Sequence, residues 1–263
     1  MLICQISDLH ITNGDRLSGV VDTTAMLRAC VAHIGALPTR PDVLLVTGDL
    51  VDQGHPDEYA RLRAAIAPLG LPTHVIPGNH DDRETLRAAF ADDVAMRSAG
   101  RFVQYTVEDH PLRMVMLDTV IPGEGGGRLC AERLDWLDRT LAAAPSRPTL
   151  VAMHHPPFPT FIEHMDAIGL DGADGFRDVI ARHPQVERVI CGHIHRSIAA
   201  RVAHAPVTVC PSPAHQIVLD LAPGGVEAFA MEPPGYQLHR WTPSTGLVTH
   251  TVAVGAYPGP YRF

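Results

Sequence analysis

Five short segments rich in aspartate, asparagine and histidine each follow directly on a strongly apolar run. In chain order they are Asp8-Leu9-His10, Gly48-Asp49, Gly78-Asn79-His80-Asp81, His154-His155-Pro156-Pro157 and Gly192-His193-Ile194-His195. Ligands in open α/β sheets gather outside the carboxyl ends of the strands. Because the five apolar runs are typical of strands, we predict that they bring the polar segments together at one edge of a sheet. Carboxylate, amide and imidazole groups placed in this way predict a binuclear metal centre.

The composition excludes several common kinds of active site. The chain has 263 residues, 46% of them apolar, and a formal net charge of −8. All 21 basic residues are arginine, so the chain has no lysine for a Schiff base, a pyridoxal phosphate linkage or a GKS/GKT phosphate-binding loop. An acidic chain without basic runs is also a poor electrostatic match for a nucleic acid polymer. Any phosphate chemistry is therefore expected to take its positive charge from metal ions.

The cysteines and the hydropathy pattern indicate the compartment. The five cysteines form no CxxC pair, and three of them lie inside strand-like runs, which is typical of small buried apolar residues rather than of a disulfide framework. The sequence opens directly with strand and motif, and no apolar stretch approaches the ~20 residues that span a bilayer. We therefore expect a cytoplasmic protein without a membrane segment.

Apolar periodicity predicts alternating strands and helices up to residue 191, followed by strands and turns. Alternation of this kind favours α/β architecture. We expect a single domain over residues 1–263, with a metal-binding core over 1–200 and, over 201–263, antiparallel hairpins that complete a second sheet and form a cap or oligomerisation region. The predicted strands are 2–6, 43–46, 74–76, 101–107, 113–117, 149–153, 186–191, 207–210, 216–221, 226–231, 236–241 and 247–253, and the predicted helices are 22–36, 57–68, 82–97, 131–143 and 174–182.

The spacing within the polar segments predicts how their side chains converge. Residues i and i+2 of an extended strand point the same way, so Asp8 and His10 should address one point, and His193 and His195 should do the same. A glycine stands immediately before three of the segments, where the missing Cβ permits a tight turn and close backbone approach to ions. These glycines are Gly48, Gly78 and Gly192.

The order and spacing of the segments resemble the calcineurin-like metallophosphoesterase superfamily. Its pattern of DxH, GDxxDxG, GNH[DE], a later His and GHxH matches DLH (8–10), GDLVDQG (48–54), GNHD (78–81), HH (154–155) and GHIH (192–195). A closer resemblance, to class III cyclic-nucleotide phosphodiesterases and bacterial glycerophosphodiesterases, is carried by MHHPP (153–157), MDAIGL (165–170), PSPAHQ (211–216) and EPPGYQLHRW (232–241). We predict a four-layer α/β sandwich of two mixed β-sheets flanked by helices, with a C-terminal β-hairpin region.

The resemblance implies a ligand set for two divalent transition-metal ions. One ion would be held by Asp8, His10, Asp49 and His195, and the other by Asp49, Asn79, His154 and His193, with Asp49 bridging the two. We assign His154 rather than His155 because family ligands sit directly at the strand end. Oxygen and imidazole ligands without thiolates suit Mn, Fe, Co or Zn, and they disfavour a closed structural zinc site.

The resemblance also implies catalytic and substrate-binding residues. His80 resembles the family's histidine that is not a ligand, and it would hydrogen-bond the phosphoryl oxygen or protonate the leaving group. We therefore name Asp49 and His80 as catalytic. Asp52 and Asp81 are expected to orient ligand imidazoles or the Asn79–His80 turn. The residues expected to bind substrate are Asn79, His80, His155 and His215.

The reaction predicted from these features is hydrolysis of a small phosphodiester by metal-bound hydroxide. Cyclic nucleotides such as 3′,5′-cAMP and glycerophosphodiesters are the leading substrates, and Gly172 stands where relatives often carry an asparagine of the substrate pocket. A nuclease, a phosphoprotein phosphatase and a non-catalytic scaffold of the same fold remain as alternatives. Relatives form dimers or larger assemblies, and the aromatic tail Tyr257–Phe263 is a candidate for such a contact.

Overall fold

The computed structural model describes residues 1–14 and 16–262. Strands and α-helices alternate through the first 191 residues, and strands and turns follow. The strands are β1 (Leu2–Ile6), β2 (Val43–Thr47), β3 (Thr73–Ile76), β4 (Tyr105–Val107), β5 (Arg113–Leu117), β6 (Gly127–Arg128), β7 (Thr149–Met153), β8 (Leu170–Asp171), β9 (Val186–Cys191), β10 (Ile198–Val202), β11 (Ala205–Val209), β12 (Gln216–Ile217), β13 (Phe229–Ala230), β14 (Gly235–Thr242) and β15 (Gly246–Ala253). The α-helices are α1 (Thr23–Gly35), α2 (Pro56–Ile66), α3 (Arg83–Ala89), α4 (Ala131–Ala142), α5 (Glu163–Asp166) and α6 (Ala173–Arg182).

Two mixed sheets hold most of the strands. The first has the order β15-β14-β1-β2-β3, in which β1, β2 and β3 are parallel and the β14–β15 hairpin is antiparallel to β1. The second has the order β10-β11-β9-β7-β5-β4, with parallel strands at its centre and antiparallel strands at both edges. The central strands are continuous apolar runs buried on both faces, as parallel strands require.

The helices cover the outer faces of the two sheets. One apolar cluster joins α1 and α2 to the first sheet and includes side chains of β5, β7 and β9, so it also fills the space between the sheets. A second cluster joins α4 and α6 to the other face of the second sheet. The result is the predicted order of helices, sheet, sheet and helices, and the predicted fold class is confirmed.

The C-terminal strands differ from the prediction. We expected all of them to complete a second sheet, but β14 and β15 join the first sheet, because β14 fills the edge of β1 that β2 leaves open. The predicted strands 216–221 and 226–231 contain only the two-residue strands β12 and β13, which form a small sheet of their own. The strand β10 was not predicted, because its sequence IAARV lacks a clear apolar alternation.

The predicted helix 82–97 was also too long. The helix α3 ends at Ala89, and a single 3₁₀ turn over Met96–Ser98 follows a turn. The Oδ1 atom of Asp93 accepts hydrogen bonds from the backbone N–H of Ala95, at 2.9 Å, and of Met96, at 3.4 Å. Such side-chain bonds offer the backbone an alternative to the helical ladder. The following strand is likewise shorter than predicted, because only Tyr105–Val107 of 101–107 pairs with a neighbour.

A tyrosine links the edges of the two sheets. The hydroxyl of Tyr105, on the edge strand β4, donates to Val75 O at 2.7 Å and accepts from Val75 N at 3.0 Å. Val75 lies on β3, the edge strand of the first sheet, and is fully buried. One hydroxyl therefore satisfies two buried backbone groups that have no strand partner on that side.

The variant Tyr105→Phe tests this link. Removal of the hydroxyl leaves the N–H and C=O of Val75 buried and unpaired, which costs about 1–3 kcal/mol in the free energy of unfolding. Urea denaturation of the variant and the parent protein measures this loss. The matched control is Tyr257→Phe, because Tyr257 is 61% exposed. Equal unfolding midpoints for both variants would show that the link contributes nothing.

Candidate metal centre

The five polar segments follow β1, β2, β3, β7 and β9, and they meet at the carboxyl ends of these strands as predicted. Their conformation differs from the prediction. The strands β1 and β9 end at Ile6 and Cys191, before the segments begin. Five of the predicted ligands lie in the left-handed backbone region, so the argument from extended i and i+2 residues was wrong. Their φ angles are 58° at Asp8, 44° at His10, 48° at Asp49, 73° at His193 and 54° at His195.

Backbone and side-chain hydrogen bonds hold these strained loops. The N–H groups of Leu9 and His10 both donate to Asp49 O, at 2.8 and 3.0 Å. The His193 N–H donates to Asp8 Oδ1 at 2.8 Å. Each left-handed residue other than glycine costs on the order of 1–3 kcal/mol, and such residues persist only where the surrounding structure over-determines them. Residues in this conformation cluster at active sites, which marks the loops as functional.

All three predicted glycines are required by close packing within the site, and a Cβ atom built at Gly48 would overlap His154 Nδ1. A Cβ atom built at Gly78 would overlap Asp49 Oδ1, and one at Gly192 would overlap Ser7 Oγ. We predicted close approach of the backbone to ions, and the structure shows close approach of protein atoms at the same glycines. The approaching atoms are side chains of the site itself.

The first cluster contains Asp8, His10, Asp49 and His195, whose ligand atoms all lie within 4.8 Å of one another. All four residues are buried. The Nδ1 atom of His195 is 3.1 Å from His215 O, and donation to this carbonyl leaves a lone pair on Nε2. That Nε2 atom is 3.2 Å from Nε2 of His10 and 3.7 Å from Asp8 Oδ1. Nitrogen lone pairs and carboxylate oxygens therefore face one another.

The second cluster lies on the other side of Asp49. His154 donates from Nδ1 to Thr47 O at 2.8 Å, which leaves the Nε2 lone pair facing Asn79 Oδ1 at 3.3 Å and Asp49 Oδ2 at 3.4 Å. The ring of His193 lies 5.2 Å from that of His154, centroid to centroid. Its Nε2 atom is 3.1 Å from Ile168 O, so donation there leaves Nδ1 with a lone pair. These are the four residues predicted for the second ion.

The donor set fits two divalent cations. Buried polar atoms are normally hydrogen-bonded, yet Asp8 Oδ2 is buried without a hydrogen-bond partner. When the imidazoles turn their Nε2 lone pairs inward, accepting atoms face one another around Asp49, and this arrangement is costly unless a positive charge lies between them. Carboxylate, amide and imidazole donors suit divalent transition metals. Two clusters that share Asp49 therefore form a candidate binuclear site.

Electrostatics within the site centre on Asp49. Burial raises the pKa of Asp8 to about 6, and the neighbouring Asp49 carboxylate contributes to this rise. Burial alone would raise the pKa of Asp49 as well, but His154 and His10 lower it well below its usual value. Burial alone would lower the pKa of His154, but Asp49 raises it to about 9. A cation bound here would take the place of the protons that now stabilise these groups.

His155 has a different environment from His154. It is fully buried, its Nδ1 lies 2.7 Å from Thr119 Oγ1, and its Nε2 lies 3.1 Å from Gly125 O. His154, His155 and His193 are close enough to share an ion, but these two hydrogen bonds occupy both nitrogens of His155. The geometry thus supports His154 as the ligand. It also indicates that His155 holds the loop around Gly125, and it disfavours the predicted contact of His155 with substrate.

A pocket of about 240 Å³ opens over the two clusters. His80 lies at its edge with 37% of its side chain exposed, and its Nδ1 is 2.9 Å from Asp52 O. The predicted residues Asn79 and His215 also line the pocket. The His215 ring lies 4.5 Å from that of His195, and its Nδ1 is buried without a hydrogen-bond partner. Ser18 and Asp52 also line the pocket, and the apolar part of the lining is formed by Leu17, Met165, Ile168, Ile217 and Phe229.

Asp52 and Asp81 support the ligand loops in different ways. Asp52 Oδ1 lies 3.5 Å from His10 Nδ1 and 3.6 Å from His80 Nδ1, which agrees with the predicted orientation of imidazoles. Asp81 agrees with the predicted alternative, orientation of the Asn79–His80 turn, because it bonds to Gly78 on the other side of that turn. Its Oδ2 accepts from Leu50 N at 3.1 Å and from Gly78 N at 2.8 Å, so it ties the loop after β2 to the loop after β3.

Sequence reasoning missed several supporting residues. The Tyr59 hydroxyl donates to Asp81 Oδ1 at 2.8 Å, and the Ser212 hydroxyl donates to Asp8 O at 2.7 Å. Thr119, which contacts His155, was also missed. Ser212 lies in the PSPAHQ segment that carries the closer resemblance, so a signal for it was present. Tyr59 and Thr119 lie outside every motif, and only the fold brings them to the site.

Known proteins resemble this chain in sequence and in fold. The sequence profile of calcineurin-like phosphoesterases matches residues 1–197. A probable glycerophosphodiester phosphodiesterase GpdQ of Arcobacter nitrofigilis is 38% identical over 265 residues, which are 100% of this chain and 97% of that protein. The 3′,5′-cyclic adenosine monophosphate phosphodiesterase CpdA of Pseudomonas aeruginosa is 34% identical over 245 residues, 92% of this chain and 84% of that protein. The structure of a dimetal phosphatase from Danio rerio aligns with a TM-score of 0.64 at 16% identity, covering 97% of this chain and 99% of that one.

Paired substitutions of the two adjacent histidines test the assignment of the second cluster. We expect His154→Ala to lose one of two bound manganese ions per chain, because Nε2 of His154 is a donor of this cluster. His155→Gln is the matched control and should keep both ions, because His155 uses its nitrogens to hold a loop. Elemental analysis of purified, manganese-loaded protein measures the stoichiometry. Loss of metal from His155→Gln alone would reverse the assignment.

Proposed function

The chain belongs to the calcineurin-like phosphoesterase family, and we propose that it hydrolyses small phosphodiesters at a centre of two divalent metal ions. The observation that carries the proposal is the pair of clusters, formed mostly by buried side chains, that share Asp49 below the pocket. The full-length similarity to proteins named as glycerophosphodiester and cyclic-nucleotide phosphodiesterases supports diesters as substrates. Glycerophosphodiesters and 3′,5′-cyclic nucleotides are the proposed substrate classes.

The chain's own residues bind the ions. Asp8, His10, Asp49 and His195 would hold one of them, and Asn79, His154 and His193 would complete the second site around Asp49. Two such ions, when bound, polarise the phosphoryl oxygens and activate water for an in-line displacement. Among the described residues that line the pocket there is no arginine. This suits a diester with a single negative charge better than a monoester or a nucleic acid polymer.

His80 is the proposed proton donor. Its Nδ1 hydrogen bonds to Asp52 O, so Nε2 is the nitrogen available to the substrate. The protonated ring can donate from Nε2 to a phosphoryl oxygen or transfer that proton to the leaving oxygen. The neutral ring that remains keeps its Nδ1 hydrogen on Asp52 O and therefore its orientation. The backbone N–H of His80 also donates to Asp49 Oδ1 at 3.0 Å, which fixes the residue relative to the shared carboxylate.

We also propose manganese, iron, cobalt or zinc as the ions, a cytoplasmic location and a homodimer or larger assembly. The absence of thiolates from the described clusters and the unpaired state of the cysteines support the first two proposals. In the tail, Tyr257 and Tyr261 are exposed and available for a contact, whereas Phe263 lies outside the described residues. No helix among the described residues has the length and apolarity needed to cross a membrane.

Hydrolysis assays test the proposed function. Manganese-loaded protein should hydrolyse bis(p-nitrophenyl) phosphate, and removal of metal by a chelator should abolish turnover until manganese is restored. A panel of cAMP, cGMP, 2′,3′-cAMP and glycerophosphoethanolamine then separates the substrate classes. Protein with two manganese ions per chain and no turnover of any diester would contradict the proposal and favour a scaffold.

Substitution of His80 separates proton transfer from metal binding. We expect His80→Ala to keep both metal ions and to lower kcat about 10²–10⁴-fold, the usual contribution of a positioned acid or base. The control is His250→Ala, because His250 is exposed on β15, away from the pocket. Steady-state kinetics and elemental analysis are measured on the same preparations. Loss of metal in His80→Ala would contradict the assigned role.

Substitution of Asn79, unlike that of His80, should affect metal binding. The Asn79 Oδ1 atom faces the His154 lone pair at 3.3 Å, so Asn79→Ala should weaken occupancy of the second ion. Because Asn79 is not part of the buried core, the variant should unfold at the same denaturant concentration as the parent protein. Manganese titration and urea denaturation check the two expectations. Full occupancy by two ions would remove Asn79 from the ligand set.

A further inference from the structure

The pocket has two chemically different sides. Its floor consists of the metal clusters and His80, whereas the five apolar side chains named above form one wall. Its volume of about 240 Å³ lies below the ~300–1,000 Å³ typical of sites for drug-sized ligands. A substrate with its phosphorus over the metal clusters would therefore have room for one small ester group against this wall.

Two of the apolar side chains lie on the hairpin of β12 and β13. Ile217 and Phe229 are paired across this hairpin and both line the pocket. The Phe229 ring meets the His215 ring edge to face, with centroids 5.0 Å apart. An aromatic ring in this position offers a flat apolar surface, and a second ring or an apolar chain gains by covering it.

An ion pair fixes this hairpin next to a metal ligand. Arg196, the residue after His195, donates to Ile217 O at 2.6 Å. The same guanidinium contacts both carboxylate oxygens of Glu232, at 3.1 and 2.9 Å, in a two-point pair. Arg196 therefore joins both ends of the hairpin to the loop that carries His195. Two-point pairs of this kind constrain geometry more than a single contact does.

The apolar residues Met165 and Ile168 are also held in place by hydrogen bonds of their segment. The carbonyl of Ile168 accepts from Nε2 of His193 at 3.1 Å, so this part of the wall is bonded to a ligand of the second cluster. Glu163, in α5, accepts from Gly224 N at 2.5 Å and connects α5 to the loop between β12 and β13. Both parts of the apolar wall are thus held against the metal centre and against each other.

We propose that this wall is a subsite for a flat apolar ester group of the substrate, such as an aryl group or a nucleobase. Phe229 and Ile217 determine this specificity, and Arg196 and Glu232 are positioning residues that hold them. The described lining offers few partners for a charged head group. The only carboxylate of the described lining outside the proposed ligand set is Asp52, which already lies within 3.6 Å of both His10 and His80. The inference rests on the proposed phosphodiesterase function and adds the kind of ester that is preferred.

The test compares two diesters in manganese-loaded protein. Bis(p-nitrophenyl) phosphate carries apolar aryl groups, and glycerophosphoethanolamine carries only polar ones. For Phe229→Ala we expect the ratio of kcat/KM for the aryl diester to that for the polar diester to fall about tenfold, mainly through KM, because contacts in an apolar pocket contribute roughly 10–200-fold to such ratios. Each substrate is compared with itself in the parent protein, so intrinsic differences in leaving group cancel.

The positioning residues are tested with a conservative pair. Glu232→Gln removes the charge that holds Arg196, and we expect the same ratio to fall about twofold to fivefold, as for loss of a partly exposed ion pair. The control is Glu227→Gln, because Glu227 is an exposed carboxylate in the loop of the same hairpin. This control should leave the ratio as it is in the parent protein.

The outcomes separate this inference from the proposed function. If the parent protein with two bound ions hydrolyses neither diester, the proposed function itself fails. If it hydrolyses both and Phe229→Ala lowers the two kcat/KM values equally, the function stands and the apolar subsite is wrong. A Phe229→Ala ratio that falls while Glu232→Gln behaves as Glu227→Gln would keep the subsite and remove the positioning role of Arg196 and Glu232.

Discussion

The rest of the structure depends on how buried carboxylate, amide and imidazole groups are arranged around Asp49. Its Oδ2 atom lies 3.5 Å from Nε2 of His10 and 3.4 Å from Nε2 of His154, and the latter nitrogen also faces an amide oxygen. Hydrogen bonds from the far sides of His154 and His195 to backbone carbonyls orient these rings. Orientation of this kind is how proteins set the tautomer and direction of metal-binding imidazoles. The cost of burying so many acceptors together is offset once cations lie between them.

The sheets supply the rigidity that this arrangement needs. Five of the proposed ligands occupy left-handed backbone conformations, which unsupported loops of ordinary residues do not retain. Each ligand loop leaves the buried end of a strand, and the loops bond to one another through Asp49 O, Asp8 Oδ1 and Asp81 Oδ2. The strain is thus supported by a core that extends through both sheets. An enzyme of this kind gains a site that is already in place before substrate arrives.

The sequence was most informative where segments of polar, ligand-type residues directly follow apolar runs. The central strands were predicted almost to the residue, because a continuous apolar run has few alternatives, and the polar segments after them met as expected. Backbone conformation at Asp8 and His193 was not predictable, because left-handed residues other than glycine leave no local signal. The helix over 82–97 was overextended because Asp93 competes for backbone N–H groups. The sheet joined by β14 depends on the open edge of β1, which lies more than 200 residues away in sequence.

The hairpin of β12 and β13 belongs to neither of the two large sheets. Its side chains can therefore vary without disturbing the buried strands that carry the ligand loops. If this hairpin sets the preferred ester as proposed, a few substitutions in it would change substrate preference and leave the ligand loops in place.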